Sequence, residues 1–199
     1  MIGIVALGAA NRRSIEAALR RAGAATRFIE KPSEVGTCDA LVLPGVANFG
    51  YVAQELDRTE LRAAVLEAIH FGIPLLGICV GFQLLFEGSE EAPKARGLGV
   101  FPGTVRRLRT PRVPHMGWNL VESCSTRFAS GWAYFANAFA SDASVPDAVA
   151  TTCDGDDTFA SAAVRGNVIG VQFHPERSGI YGAAVIASFV QSTAVTYAR

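Results

Sequence analysis

Pro74-Leu75-Leu76-Gly77-Ile78-Cys79-Val80-Gly81-Phe82-Gln83-Leu84-Leu85-Phe86 opens as an apolar run and turns through Gly77-Ile78-Cys79-Val80-Gly81 into residues that favour helix. A run of this length suits a buried strand. A Gly-x-nucleophile-x-Gly turn between strand and helix is a nucleophile elbow, here with Cys where Ser is usual. The turn is so tight that side chains flanking the nucleophile would clash, which is why glycine stands on both sides. The N–H groups that open the following helix favour thiolate over thiol. The competing reading of Cys79 is a buried thiol packed as a small hydrophobe, a common fate of free cysteine. What separates the two is whether the chain supplies a base, an orienting carboxylate and donors for an oxyanion.

Upstream of the elbow, short apolar runs alternate with helical spacing. Ile2 to Leu7 reads as a strand, Gly8-Ala9-Ala10-Asn11 as a turn, and Arg12 to Ala22 as a helix through Ile15, Ala18 and Leu19. Thr26-Arg27-Phe28-Ile29 and Ala40-Leu41-Val42-Leu43 are further strands, and Leu56 to Phe71 is a helix. This alternation predicts an α/β fold with a parallel sheet whose functional groups gather at the carboxyl ends of the strands. Cys79, Pro44-Gly45-Val46 and Gly8 all fall at that edge. Beyond Phe86 the pattern becomes β-rich. Val105 to Leu108 alternates, Pro114 to Asn119 reads as a loop, and Ala133 to Ala136 as a strand. Phe159 to Val164 and Val168 to Phe173 form a hairpin closed by Arg165-Gly166-Asn167. Tyr181 to Val190 is a last amphipathic helix.

The 199 residues are enough for one full core, and with no linker or repeat in view the expectation is a single domain over 1–199. Eighteen Lys and Arg balance eighteen Asp and Glu, which gives no reason to expect nucleic acid or an anionic membrane as partner. No apolar run has transmembrane length, and the N-terminus lacks the basic region of a signal peptide. The four cysteines (Cys38, Cys79, Cys124, Cys153) are far apart and include no Cys-x-x-Cys. They suggest neither a zinc site nor a disulfide framework. A reduced, cytoplasmic protein is expected.

Three histidines limit the choice of base. His70 lies at the end of a charged helix and reads as a surface residue. His115 sits in Pro114-His115-Met116-Gly117-Trp118 and is structural or interfacial. His174 ends an apolar strand and precedes Pro175-Glu176. In extended chain a two-residue offset places His174 and Glu176 on the same side. A carboxylate there fixes the tautomer of His174 and turns its other nitrogen to a nucleophile. Cys79, His174 and Glu176 are therefore the candidate catalytic residues, with Val80 N–H as one oxyanion donor. A second donor could come from Pro44-Gly45-Val46-Ala47, with Val46 as its bearer.

Gly77-Ile78-Cys79-Val80-Gly81-Phe82-Gln83 taken with Val171-Gln172-Phe173-His174-Pro175-Glu176 resembles the class I glutamine amidotransferases, the triad glutaminases. Leu43-Pro44-Gly45-Val46, Gln83 to Glu87, Ser89-Glu90-Glu91, Gly97-Leu98-Gly99, Pro114 to Asn119 and His174 to Ser178 are similar, in order, to the HisH group, the glutaminase subunits of imidazole glycerol phosphate synthase. The resemblance implies a mostly parallel central sheet with a flavodoxin-like core, flanked by helices and extended by an antiparallel β region. It implies hydrolysis of L-glutamine to L-glutamate and ammonia through a thioester on Cys79, with no cofactor and no metal. Ammonia would pass to a (β/α)8-barrel cyclase subunit of the HisF type in a heterodimer serving histidine biosynthesis. Gln83, Glu91, Gly45 and Ala47 would bind glutamine, and Arg177, Tyr134 and Asn11 would lie at the partner interface.

The chain departs from that pattern at four places. The first strand ends in Ala6-Leu7-Gly8-Ala9-Ala10-Asn11, without the family's acidic and aromatic pair. Ala47 replaces a glycine in the oxyanion loop. Asn137-Ala138-Phe139 stands where the family has His-Ser-Tyr, and Arg177 replaces a lysine. These departures leave open an alternative, a HisH-like glutaminase that feeds a different synthase.

Overall fold

A computed structural model describes residues 1–7, 12–45, 47–126 and 128–195. The chain runs through β1 (Ile2–Val5), α1 (Arg12–Arg21), β2 (Thr26–Ile29), α2 (Pro32–Val35), β3 (Ala40–Leu43), α3 (Phe49–Arg58), α4 (Leu61–His70), β4 (Leu75–Ile78) and the one-turn α5 (Val80–Gln83). It continues through β5 (Gly88–Ser89), β6 (Thr104–Arg107), β7 (His115–Ser123), β8 (Gly131–Asn137), β9 (Phe139–Ala140), β10 (Ala148–Asp154), β11 (Asp157–Arg165) and β12 (Val168–Val171). A 3-10 turn (Pro175–Arg177) leads into α6 (Gly179–Val195).

A nine-stranded sheet in the order β2-β1-β3-β4-β12-β11-β10-β7-β8 organises these elements. From β2 to β12 every pairing is parallel, and from β12 to β8 every pairing is antiparallel. The antiparallel region therefore continues the main sheet. A smaller sheet, β5-β6-β9, stands apart from it. Every residue of β1, β3 and β4 is buried, as expected of parallel strands covered by helices on both faces. α1 packs against α6, while α4 packs against α2 and α3.

Two expected elements differ. The helix expected from Leu56 to Phe71 is two helices, α3 and α4. Thr59 Oγ1 donates to the Glu55 carbonyl, competing with the backbone ladder, and Glu60 then takes a left-handed φ of 58°. Buried Leu56 and Leu61 lie on either side of the break, five residues apart, so each helix buries its own apolar face. α3 itself starts earlier, capped by Asn48 Oδ1, which accepts from Tyr51 N–H. The expected loop at Pro114 to Asn119 is the start of β7. Met116 and Trp118 point outward and are exposed, so an apolar-in, polar-out alternation is absent.

The small sheet is anchored by charge. Arg106 donates to both carboxylate oxygens of buried Asp157 at 2.9 and 2.6 Å and to Asp142 at 2.6 Å. This fixes β6 against β11. Because β6 pairs with β9 (Arg107 opposite Phe139), it also fixes the backbone at Phe139.

Candidate active site

β4 delivers Cys79 to the carboxyl edge of the sheet. Cys79 N–H donates to the Val171 carbonyl at 2.8 Å, and the residue takes φ 54°, ψ −113°, a strained conformation that turns its side chain out of the strand. The elbow needs its glycines for space. A Cβ on Gly81 would lie 1.8 Å from the Leu43 carbonyl oxygen, and one on Gly45 would lie 2.6 Å from both Gly81 N and Val80 Cβ. The β3 loop is thus packed directly on the elbow. Gly81→Ala is expected to cost about 3 kcal/mol by overpacking, because the atom it meets is backbone. A fall in thermal midpoint checks this; an unchanged midpoint would contradict the packing described.

β12 delivers the imidazole. His174 N–H donates to the Tyr134 carbonyl at 2.9 Å. Ser178 Oγ donates to the His174 carbonyl at 2.6 Å and accepts from Tyr134 N–H at 2.9 Å. The turn is thereby pinned to edge strand β8. His174 Nδ1 lies 3.0 Å from Glu176 Oε1, and Cys79 is close enough to the His174 ring to act on its charge. The two side chains meet because the 3-10 turn at Pro175 folds Glu176 back under the ring; the extended offset expected between them does not apply. Burial opposes a charge on His174, but interaction with Cys79 and the hydrogen bond and negative charge of Glu176 outweigh it, and its pKa is pushed up to about 10. A thiol, an imidazole and a buried carboxylate in line form a set able to carry out nucleophilic acyl transfer.

Cys79 and His174 open on a cleft of about 500 Å³, which is also lined by Ala47, Val80, Gln83, Glu91, Ala136, Asn137, Ala138, Phe139 and Arg177. Val80 N–H is the first of α5 and has no carbonyl one turn back in the helix to bond. Glu91 Oε2 accepts from Phe49 N–H at 2.7 Å, which holds its carboxylate at the cleft. Gln83 is almost wholly buried, and its Nε2 donates to the Phe139 carbonyl at 2.8 Å and to Gln172 Oε1 at 3.1 Å. The Arg177 guanidinium lies over the Tyr134 ring, 5.8 Å from its centroid. Gly45 does not line the cleft; it supports the elbow from behind. Val46 and Asn11, together with Gly8, lie outside the described residues.

Two polar residues of the site stood within quoted motifs but were assigned no role from the sequence. Gln172 follows β12 as an amide in an apolar strand, and its Nε2 reaches 3.8 Å from Cys79 Sγ. Asn137 ends β8 and donates to the Phe139 carbonyl at 3.1 Å. A second cavity, about 510 Å³ beneath α6, has a mainly apolar lining without an acid, base or nucleophile suited to chemistry. Among the described residues no group of three or more His, Cys, Asp or Glu is placed to hold a metal ion. No helix among them is long and apolar enough to cross a membrane.

Fold and site together have the arrangement of a cysteine-dependent acyl-transfer protein of the α/β class. The family model for glutamine amidotransferase class-I matches residues 4–192, and the chain belongs to that family. It is similar to the imidazole glycerol phosphate synthase subunit HisH of Acaryochloris marina, 36% identical over all of this chain and 97% of that one. It is also 36% identical to the imidazole glycerol phosphate synthase hisHF of Schizosaccharomyces pombe, over 96% of this chain and 38% of that protein. A solved glutamine amidotransferase structure superimposes with a TM-score of 0.78 at 20% identity, covering 97% of this chain and 98% of that one, which shows the shared fold.

Proposed function

We propose that this chain is the glutaminase subunit of an imidazole glycerol phosphate synthase, hydrolysing L-glutamine and passing the ammonia to a HisF-type cyclase for histidine biosynthesis. The observation that carries the reading is the meeting of Cys79, His174 and Glu176 at one cleft, in a chain similar to HisH over its whole length. The Cys79 sulfur attacks the side-chain amide carbon of glutamine. The resulting oxyanion takes a hydrogen bond from Val80 N–H. His174 Nε2 gives its proton to the departing nitrogen, so ammonia leaves and a thioester remains. Water then attacks the thioester as His174 takes its proton, and the sulfur leaves with the bonding pair to regenerate the starting state. Glu176 holds Nδ1 and so keeps Nε2 on the sulfur. Glu91 and Gln83 hold the amino-acid end of the substrate.

Ammonia must not escape to water, and the surface beside the cleft suits a partner. Met116, Trp118 and Leu120 on β7 share a face with Trp132, Tyr134 and Ala136 on β8, since paired residues point the same way. Met116, Trp118 and Trp132 are more than half exposed, and Ile180 beside them is 92% exposed. Such a contiguous apolar patch marks an interaction surface. Tyr134 and Arg177 connect it to the cleft. In the S. pombe relative a segment like this chain accounts for only part of one polypeptide named hisHF, which supports a HisF-type partner.

Glutamate release measured with and without the cyclase and its nucleotide substrate tests the reading. The rate is expected to rise on the order of tenfold or more when both are present. No glutamate under any condition would refute the glutaminase assignment. Glutamate release without rescue of a histidine auxotroph would point to a different synthase.

A further inference from the structure

Cys79 and Gln172 are brought side by side by the register of β4 and β12, in which Ile78 stands opposite Val171 and Gly77 opposite Gly170. Both backbones are then fixed one residue further on. Cys79 N–H donates to the Val171 carbonyl at 2.8 Å, and Gln172 N–H donates to the Ser161 carbonyl at 2.9 Å. The Gln172 side chain is fully buried, so its amide orientation is set by its neighbours alone.

That orientation can be worked out from one atom. The Phe139 carbonyl can only accept, so the Gln83 amide must turn its nitrogen towards it, at 2.8 Å. The same nitrogen lies 3.1 Å from the Gln172 side chain, and the atom it meets must therefore be an acceptor, Oε1. With Oε1 committed to Gln83, Gln172 Nε2 is turned to Cys79 Sγ, at 3.8 Å. An N–H donor at a sulfur favours its anion over the neutral thiol.

We propose that Gln172 is a further functional residue of this reaction, a buried donor to Cys79 Sγ oriented through Gln83 from the Phe139 carbonyl. It steadies the negative charge on the sulfur before attack and again when the thioester breaks. Because Gln83 lies at the substrate end of the cleft, the chain Phe139–Gln83–Gln172–Cys79 also ties the substrate pocket to the nucleophile. The inference rests on the reading of Cys79 as the acyl acceptor.

The test is the pH dependence of Cys79 alkylation by iodoacetamide in the full chain, followed by mass spectrometry of the Cys79 peptide so that Cys124 and Cys153 do not contribute. Gln172→Met keeps volume and removes the donor; its alkylation midpoint is expected to rise by about one pH unit, a tenfold drop in reactivity below the midpoint. Gln172→Glu still accepts from Gln83 but sets a carboxylate beside the sulfur, and its midpoint is expected to rise further. With the cyclase present, kcat for glutamine is expected to fall about tenfold in Gln172→Met while KM stays within about twofold. Gln83→Leu, which removes the group that orients Gln172 without touching Gln172 itself, shifts the midpoint in the same direction and decides the matter should the Gln172 variants not fold. Midpoints equal to wild type in the folded variants would overturn the inference and leave the glutaminase reading standing. A wild-type protein that forms no glutamate would overturn both.

Discussion

Cys79→Ala is expected to abolish glutamine-dependent cyclisation while leaving ammonia-dependent cyclisation by the partner within about twofold of wild type. The loss should be on the order of 10⁶ in kcat, the scale seen when an acyl-transfer enzyme loses its nucleophile. The split follows from the structure. Cys79 is almost buried at a strand end whose backbone is held by Val171, and the substitution removes one atom without adding any. Ala bears the same positive φ that Cys already does, so the elbow has no new reason to rearrange. The apolar patch on β7 and β8 is separate from the sulfur, so docking should persist. Both activities are read on one preparation of the complex, with glutamine or an ammonium salt as nitrogen donor. Loss of both would mean that Cys79 serves folding or docking, and retention of glutamine turnover would remove it from the chemistry.

How far the sequence reached follows from where information is local. β2, β3 and the start of α1 fall where the residues place them, because a short apolar run bounded by turns has few alternatives to a buried parallel strand. The elbow was legible for the same reason, since its glycines answer a local steric demand. The α3–α4 break was not legible, because helix-favouring residues run on both sides of it and the deciding bond comes from one hydroxyl, Thr59. β7 was missed because its outward face carries Met116 and Trp118, residues that a water-facing strand would not choose and a docking strand would. β10 escaped notice as well; a run of Ala and Thr between stronger signals declares itself only through its partners β7 and β11.

The site divides along the same line. Cys79, His174 and Glu176 could be named because rare residue types stood at motif spacing. Glu176 nonetheless reaches His174 through a 3-10 turn and not along an extended strand, so the two meet by a route the spacing did not contain. Gln172 and Asn137 are common residues whose significance lies in which atoms the sheet register sets beside them. The cleft wall at Asn137-Ala138-Phe139 works mainly through the Phe139 carbonyl, which accepts from both Gln83 and Asn137. A backbone group can do this whatever side chain stands there, so the departure from the family's polar side chains leaves that acceptor in place.

Glu176→Gln is expected to lower glutamine turnover on the order of 10³- to 10⁴-fold, the scale at which loss of the orienting carboxylate misplaces the imidazole. The side chain is fully buried, and its Oε1 lies 3.0 Å from His174 Nδ1. An amide of the same shape either accepts from Nδ1 without charge or donates to it and turns the proton to Nε2, where it blocks uptake from water. The charge change has a second consequence. Burial acts to lower the His174 pKa, while Cys79 and Glu176 raise it from 6.5 to about 10. A group whose folded pKa is raised stabilises the fold fully below its unfolded value and loses that contribution as pH rises through its folded one. The wild-type thermal midpoint should therefore carry a component that is intact below pH 6.5 and declines towards pH 10. In Glu176→Gln one cause of the raised pKa is gone, so the decline should still begin near pH 6.5 but end at lower pH and be smaller, and His174→Gln should lack it. His174 ring resonances followed against pH give the same quantity directly. A His174 midpoint that Glu176→Gln leaves unmoved would mean that the carboxylate neither charges nor orients the ring, and its place beside Nδ1 would then be one of packing alone.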